Sequence, residues 1–374
     1  GDTTVVDAYL SPILRRYVDR VEDKLGGVEL RFMQSHGGLT DARHFQGKDA
    51  ILSGPAGGII GVARSAERAG FKKIISFDMG GTSTDVAHYA GTYERTFGAV
   101  VAGVRIRAPM MQIHTVAAGG GSICTFDSGR YRVGPASAGA DPGPACYRQG
   151  GPLTVTDCNL MLGKLQPDFF PSVFGADQSQ SLDQGIVEEK FHVLAADIKA
   201  ESGDDRSPAD VALGFLKIAV DNMANAIKKI SVEKGYDVTD YTLCCFGGAG
   251  GQHACLVADA LGMETVLLHP LAGVLSAYGM GLAEISALRE QAVELKLTLN
   301  AMSVLEETLD SLSATAMAEL VEQGAAPDRI EVLRHVYLKY EGTDTTDSVA
   351  FGPTETMRLN FEAAYRQRYG FAIS

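Results

Sequence analysis

Long apolar runs are missing from this sequence. No stretch reaches the about 18 consecutive apolar residues that a bilayer-spanning helix needs, although hydrophobic types make up 45% of the 374 residues. Positive charge is also in short supply. Lys and Arg total 33 against 46 Asp and Glu, a net charge of −13, which argues against a nucleic-acid backbone as partner and disfavours anionic membranes. Cysteine is sparse: Cys124, Cys146, Cys158, Cys244, Cys245 and Cys255 contain no C-x-x-C pair. A disulfide framework is therefore not expected, and Cys244-Cys245 in an apolar run reads as small buried hydrophobes in a reducing, cytoplasmic setting. No G-K-[ST] of a P-loop is present. No signal-peptide pattern is visible, the first residue is Gly1, and both ends read as cuts in a longer chain.

The length allows two or three domains. Ser11-Pro12 reads as a helix start, with Ile13, Leu14, Tyr17, Val21 and Leu25 on one face and Gly26-Gly27 as its stop. Residues 28–33 read as a strand before a glycine turn, and Ser53 to Gly70 as a helix rich in small residues. Ile74 to Phe77 and Val86 to Tyr89 read as strands around the turn DMGGTSTD. Residues 115–163 are dense in glycine with little periodicity; so long an irregular stretch in a compact protein marks function or disorder, and its interleaved Tyr131, Tyr147, Val155 and Leu160 favour function. Residues 175–206 read as surface. A capping-box-like start at Ser207 opens a long helix that ends near Gly235. Then come a strand (241–246), the loop GGAGG, a helix (252–261), a strand (265–268) and a second small-residue helix from Ala272 to Ala283. The tail reads as strand (293–299), helix (304–322), strand (331–340) and a helix from Glu355 with no obvious stop. Strands alternating with helices predict an α/β fold.

Phe77 to Asp85 is the strongest local signal. An apolar strand delivers Asp78 into a turn where Gly80 and Gly81 let backbone N–H groups close around phosphate oxygens, beside Thr82, Ser83 and Asp85. Asp78 suits a Mg²⁺ ion held largely through waters. A plain β-hairpin would explain a bare D-x-G-G equally well; the hydroxyls and Asp85 tip the reading toward phosphate. Gly247, Gly248, Ala249, Gly250 and Gly251, between a strand and a helix, form a second bend against which a nucleotide can lie near a helix N-terminus. Tight strand–helix packing explains such loops about as often. His253, just beyond, reads as a nucleotide contact or, with more weight, a cap-region bystander.

The order of these segments resembles the actin, sugar-kinase and chaperone ATPases, in which two ribonuclease-H-like lobes close on ATP. The resemblance assigns 78–85 to the second phosphate loop, 247–251 to the adenosine loop and the two small-residue helices to the crossed connectors between lobes. The first phosphate hairpin of that fold is not found, so an upstream segment is expected to supply it. A closer resemblance, to the hydantoinase A / 5-oxoprolinase family, is carried by TTVVDAYLSPILRRY, MQSHGGL, LSGPAGG, FDMGGTSTDV, IHTVAAGGGSI, GPASAGADPGPACYRQGGPLTVTDCNLMLGKL, CFGGAGGQHA and SAYGMGLA. These blocks cover about residues 3–285, and VYLKYEGTDTTDSVAF extends the likeness more loosely. His36 stands where Asp or Asn is the more frequent residue.

The resemblance implies ATP and Mg²⁺ as cofactors and a small cyclic amide as substrate, 5-oxoproline first and a hydantoin second. It also implies a second large subunit or fused C-terminal region, without which the isolated chain is expected to be inactive; homo-oligomers are allowed, while nucleic acid and membrane are not expected as partners. Residues 1–73 and 270–290 become the remainder of lobe one with its connecting helices. Residues 74–269 become lobe two with the 115–163 loop as a substrate-loop insertion, and 291–374 an α/β extension. His114 is the first choice for general base or metal ligand, although a satisfied structural histidine explains it about as well. Asp157 and Asn159 are candidates to hold a metal or orient the lactam, although a helix N-cap explains Asp157 as well, and Gly119 to Ser122 are candidate oxyanion donors. Rival readings are a small-molecule kinase, which leaves phosphate on its product, a regulatory actin-like ATPase, a ketone carboxylase subunit and an iron–sulfur activator.

Overall fold

The computed structural model describes residues 1–101 and 103–373. The chain opens with α1 (Asp2–Leu25), which runs straight through Pro12 instead of starting there. The Ser11 hydroxyl does not cap a helix: it donates to Asp7 Oδ1 at 3.0 Å and accepts from Gly47 N at 3.0 Å. Ser11 therefore ties α1 to the neighbouring 47–49 turn. The helix stops as expected at Gly26, whose φ of 55° suits a residue without Cβ. Only three residues of the expected 28–33 strand pair: β1 (Arg31–Met33) lies antiparallel to β2 (Leu39–Asp41).

The helix α2 (Ser53–Arg68) leads into β3 (Ile74–Met79) and β4 (Thr84–Tyr89). Two nested antiparallel pairs follow, β5 (Arg95–Thr96) with β8 (Met110–Met111) and β6 (Ala99–Val101) with β7 (Val104–Ile106). After β9 (His114–Val116), the glycine-dense region is less irregular than its composition suggests. It contains the hairpin β10 (Ser122–Asp127) and β11 (Arg130–Ser137) and the short helix α3 (Val155–Met161). The segment expected to be surface holds α4 (Gln184–Ser202), whose Val187, Phe191, Ala195 and Ile198 are buried at helical spacing. Polar residues flanking this stripe hide it from a composition argument. Next come α5 (Pro208–Ile230), capped by Ser207, then β12 (Thr242–Phe246), α6 (Ala254–Leu261), β13 (Thr265–Leu268) and α7 (Leu275–Leu282).

In the tail, α8 (Leu299–Glu322) is preceded by chain without regular structure, not by the expected strand, because among the described residues no other strand lies alongside 293–298 to take up its backbone groups. A hairpin of β14 (His335–Leu338) and β15 (Asp347–Ala350) and the helix α9 (Thr354–Tyr369) complete it around Val349, Met357, Phe361 and Tyr365. Gly370, at φ 79°, gives α9 the stop that the sequence did not make obvious.

One five-stranded sheet organises the centre, in the order β13-β12-β3-β4-β9. β12 runs parallel to both β3 and β13, and β4 runs antiparallel to both β3 and β9. Alternation along each strand sorts side chains to two faces. Ile75, Phe77, Val86, Leu243 and Cys245 meet α5, where Phe215, Leu216, Met223 and Ile227 are fully buried. Each such side chain contributes about 2 kcal/mol by leaving water. Ile74, Cys244 and Phe246 face Val62, Ala63 and Ala66 of α2 and Leu275 of α7.

The two small-residue helices meet backbone to backbone. A Cβ at Gly279 would fall 1.9 Å from Gly57 O and 2.5 Å from Gly61 N. Five cysteines are buried and Cys255, at the start of α6, is exposed. No helix among the described residues is long and apolar enough to cross a membrane.

Candidate functional site

Strand register brings the two glycine bends together. Asp78 on β3 pairs with Phe246, the last residue of β12, so the chain leaves both strands at the same end of the sheet. Gly247 follows at φ 84°, and a Cβ there would sit 2.4 Å from Asp78 Oδ1 and 2.5 Å from Met79 O. Only glycine allows that approach. Ala249 N then donates to Met79 O at 3.0 Å, joining the second bend to the end of β3.

The first bend is closed by Gly80 N donating to Ser83 O at 3.1 Å. A third glycine segment backs it. Gly120 N donates to Gly80 O at 3.1 Å and Gly121 N to Gly81 O at 2.6 Å, while a Cβ on Gly119 would meet Ser83 N at 2.6 Å. The opposite side is open: Gly81, Thr82, Gly248 and Gly251 are exposed, and a Cβ on any of those three glycines would meet nothing within 4 Å. Among the described residues nothing accepts from the N–H groups of Gly81, Thr82 or Gly248. The bends thus present free backbone donors outward, where an anion can reach them.

Asp78 and Asp85 stand opposite each other across β3 and β4. Burial pushes the Asp78 carboxyl up to about 6, with the Asp85 charge adding to the shift. Asp85 is also raised by burial, against the pull of the Thr115 hydroxyl, which donates to its Oδ1 at 2.6 Å. A small pocket lined by Pro55, Ile59, Asp78, Asp85 and Phe246 lies between this sheet face and α2. Two half-buried carboxylates beside unused backbone donors fit a Mg²⁺ ion, which takes one or two carboxylates and completes its shell with water and phosphate oxygens.

The other sequence-chosen residues lie farther from this pair or are otherwise occupied. His114 pairs with Val86, so it shares the α5 face of the sheet, while Thr115, Asp85 and Asp78 share the other. Burial, and then Lys229, lowers its pKa. The structure does not bring His114 to the carboxylate pair. Asp157 is buried as the third residue of α3 and accepts from Ala145 N (3.1 Å), Cys146 N (2.8 Å), Thr154 N (2.8 Å) and Thr154 Oγ1 (2.9 Å). It closes a capping box with Thr154. Burial raises its pKa, and those donors oppose the shift. Ser122 Oγ accepts from Gly119 N at 2.9 Å. Together with the bonds from Gly120 and Gly121 and that of Ser122 N to Gly119 O, this uses every N–H from Gly119 to Ser122. The segment expected to offer oxyanion donors instead braces the first bend.

Asn159 lies on α3, with Nδ2 3.3 Å from Gln252 Oε1 and 3.1 Å from His253 Nε2. Sequence reasoning passed over Thr115 and Thr156 and gave His253 more weight as a bystander of the cap. Their partners emerge only from the spatial pairing of β4 with β9 and from the approach of α3 to the Gly120 and Gln252–His253 segments.

The hydantoinase/oxoprolinase family model matches residues 1–289. The chain is 41% identical over 389 residues to 5-oxoprolinase 1 of Arabidopsis thaliana, covering 100% of this chain and 31% of that protein. It is 41% identical over 380 residues to the 5-oxoprolinase of Saccharomyces cerevisiae, covering 99% and 30%. Among solved structures, the ATP-dependent caprolactamase from Pseudomonas jessenii superposes with a TM-score of 0.83 at 30% identity, covering 100% of this chain and 55% of that one. The chain therefore spans about a third of the curated 5-oxoprolinases it matches and about half of the caprolactamase chain. With its glycine bends meeting at one end of one sheet and a family match across most of its length, the chain belongs to the hydantoinase/oxoprolinase family.

Proposed function

We propose that this chain carries one nucleotide-binding lobe of an ATP-dependent enzyme that opens a cyclic amide, with 5-oxoproline as substrate and glutamate as product. The observation that supports the reading is the close approach of Gly247 to Asp78, which brings two bends with free N–H groups to the same end of the sheet. The sheet, an antiparallel run β3-β4-β9 with β12 and β13 added in parallel beside β3, supports a ribonuclease-H-like lobe of the actin type. The crossing of α2 and α7 supports their role as connectors between lobes. In this reading residues 74–269 form the second lobe and 291–374 an extension. The first phosphate hairpin and a second large subunit or fused region come from outside the 374 residues. The choice of 5-oxoproline rests on the higher identity to proteins named for that substrate.

An unstrained lactam resists attack by water. Transfer of the γ-phosphoryl group to the amide oxygen releases ADP and leaves an imidate phosphate whose carbon accepts water. The tetrahedral adduct then collapses by expelling the ring nitrogen, which takes up a proton, and leaves an acyl phosphate that a second water hydrolyses to the carboxylate and inorganic phosphate. Positioning and charge stabilisation do most of the work in such a transfer. Asp78 and Asp85 would hold Mg²⁺, which when bound neutralises phosphate charge. The N–H groups of Gly81 and Thr82 fix the phosphates, and Gly248 to Gly251 lie along the nucleoside. Thr115 holds Asp85 in place through its hydrogen bond. In this reading His114 and Asp157 are not assigned to the phosphoryl transfer, because one lies on the other sheet face and the carboxylate of the other accepts from four donors.

The test restores the intact enzyme with its partner region and screens cyclic amides for ATP-coupled release of inorganic phosphate. Phosphate released in step with ring opening supports the reading. A phosphorylated product makes the enzyme a kinase, and ATP turnover indifferent to every amide makes it a regulatory ATPase.

A further inference from the structure

Helix α3 is anchored at two separate places. Its first turn holds the bracing segment: Thr156 N and Oγ1 both donate to Gly120 O, at 2.8 and 2.9 Å. One turn later Asn159 Nδ2 reaches His253 Nε2 and Gln252 Oε1, and just past the helix Lys164 Nζ donates to Gln252 O at 2.8 Å. The bracing segment is bonded to the Gly80–Gly81 bend, and Gln252–His253 closes the 247–251 bend. A single short helix therefore spans both.

His253 is fully buried, and burial, followed by the Lys164 charge, brings its pKa down to about 4. The ring is neutral at pH 7, with one acceptor nitrogen. Since the Asn159 amide nitrogen can only donate, Nε2 is the acceptor and Nδ1 carries the proton. His253 Nδ1 and Asn159 Oδ1 are both buried without a hydrogen-bond partner among the described residues. Two apolar side chains of similar shape would pack here without leaving two polar atoms unpaired. The contact therefore carries a direction that packing alone does not require.

We propose that His253 is a positioning residue which, by accepting from Asn159, sets the 247–251 bend relative to the 80–83 bend and so tunes the grip on ATP. This rests on the reading that the 247–251 bend lies against the nucleotide.

The test measures KM for ATP, KM for 5-oxoproline, kcat, binding of a fluorescent ATP analogue and Tm on the intact enzyme. His253→Leu should raise KM for ATP about tenfold, the effect of losing one buried hydrogen bond, with kcat and the lactam KM much less affected. His253→Gln, which can place an acceptor near the Nε2 position, should recover most of the loss. Lys164→Met, at an exposed position, should raise KM for ATP about threefold without moving Tm. Should His253→Leu lower Tm while KM for ATP stays at the wild-type value, the residue is merely structural and the proposal falls. It also falls if His253→Leu does not fold and Lys164→Met leaves KM for ATP unchanged. Asp78→Asn separates the two levels: if it removes analogue binding while the His253 and Lys164 variants bind normally, only this inference fails. If Asp78→Asn itself binds normally, the nucleotide reading fails as well.

Discussion

Asp78 and Asp85 face each other directly across β3 and β4, and Thr115 donates to Asp85 at 2.6 Å. Burial and the facing Asp85 charge both make Asp78 harder to ionise. Three measurable consequences belong to that pair and its surroundings, and a fourth to the helices behind it.

The Asp78 carboxyl rises from 3.8 to about 6, through burial first and Asp85 second. The folded state therefore holds this proton more tightly than the unfolded chain does, and stability falls as pH rises from about 4 through 6. Asp78→Asn should stabilise the fold by about 2 kcal/mol at pH 8 and by almost nothing at pH 4. Thermal melts across that range check it. The same variant should lose ATP turnover by about a hundredfold or more in the intact enzyme. Mg²⁺ affinity of the wild type, by titration calorimetry, should rise from pH 5.5 to 7.5 as the carboxylate ionises.

Gly247→Ala and Gly248→Ala should separate folding from function. At 247 the methyl group would strike Asp78 and Met79 O at a φ of 84°, costing about 2–4 kcal/mol in a urea melt. At 248 it meets open space. Gly248→Ala should keep wild-type stability yet weaken ATP binding in the intact enzyme; unchanged binding would remove the nucleotide from that bend.

Asp157→Asn should lower stability by about 2–4 kcal/mol, since it turns an acceptor of four hydrogen bonds into a group that presents an N–H to other donors. The loss should be equal with and without Mg²⁺. A deficit that appears only when the metal is present would make Asp157 a ligand after all.

Gly279→Ala should cost about 3 kcal/mol or more, because its Cβ would enter the carbonyl of Gly57. Ala283, just beyond the same helix, should accept Ser with a change below about 0.5 kcal/mol.

Much of the sheet can be read from the chain order. Ile74 to Phe77 and Tyr241 to Phe246 are largely apolar runs with a glycine bend close behind each, and the structure sets them side by side in parallel. What the sequence withholds is register. The alternation of β9 is visible in His114-Thr115-Val116, but which of these shares a face with Asp85 depends on the pairing of β4 with β9, fixed by residues far away in the chain. The expected strand near residue 293 fails for a related reason: a period of two needs a neighbour, and none is there among the described residues. Glycine density likewise hid the β10–β11 hairpin, because freedom at single positions says nothing about what lies between them. The four bonds that occupy Asp157 illustrate the same limit, as three of the donors are main-chain groups that composition does not reveal.

Cys255 leads to a practical end. With the other five thiols enclosed, a maleimide dye should attach at a single place on the native surface, two residues beyond His253 and at the head of α6. Such a label would sit beside the second glycine bend and report on its surroundings, with no cysteine added to these 374 residues.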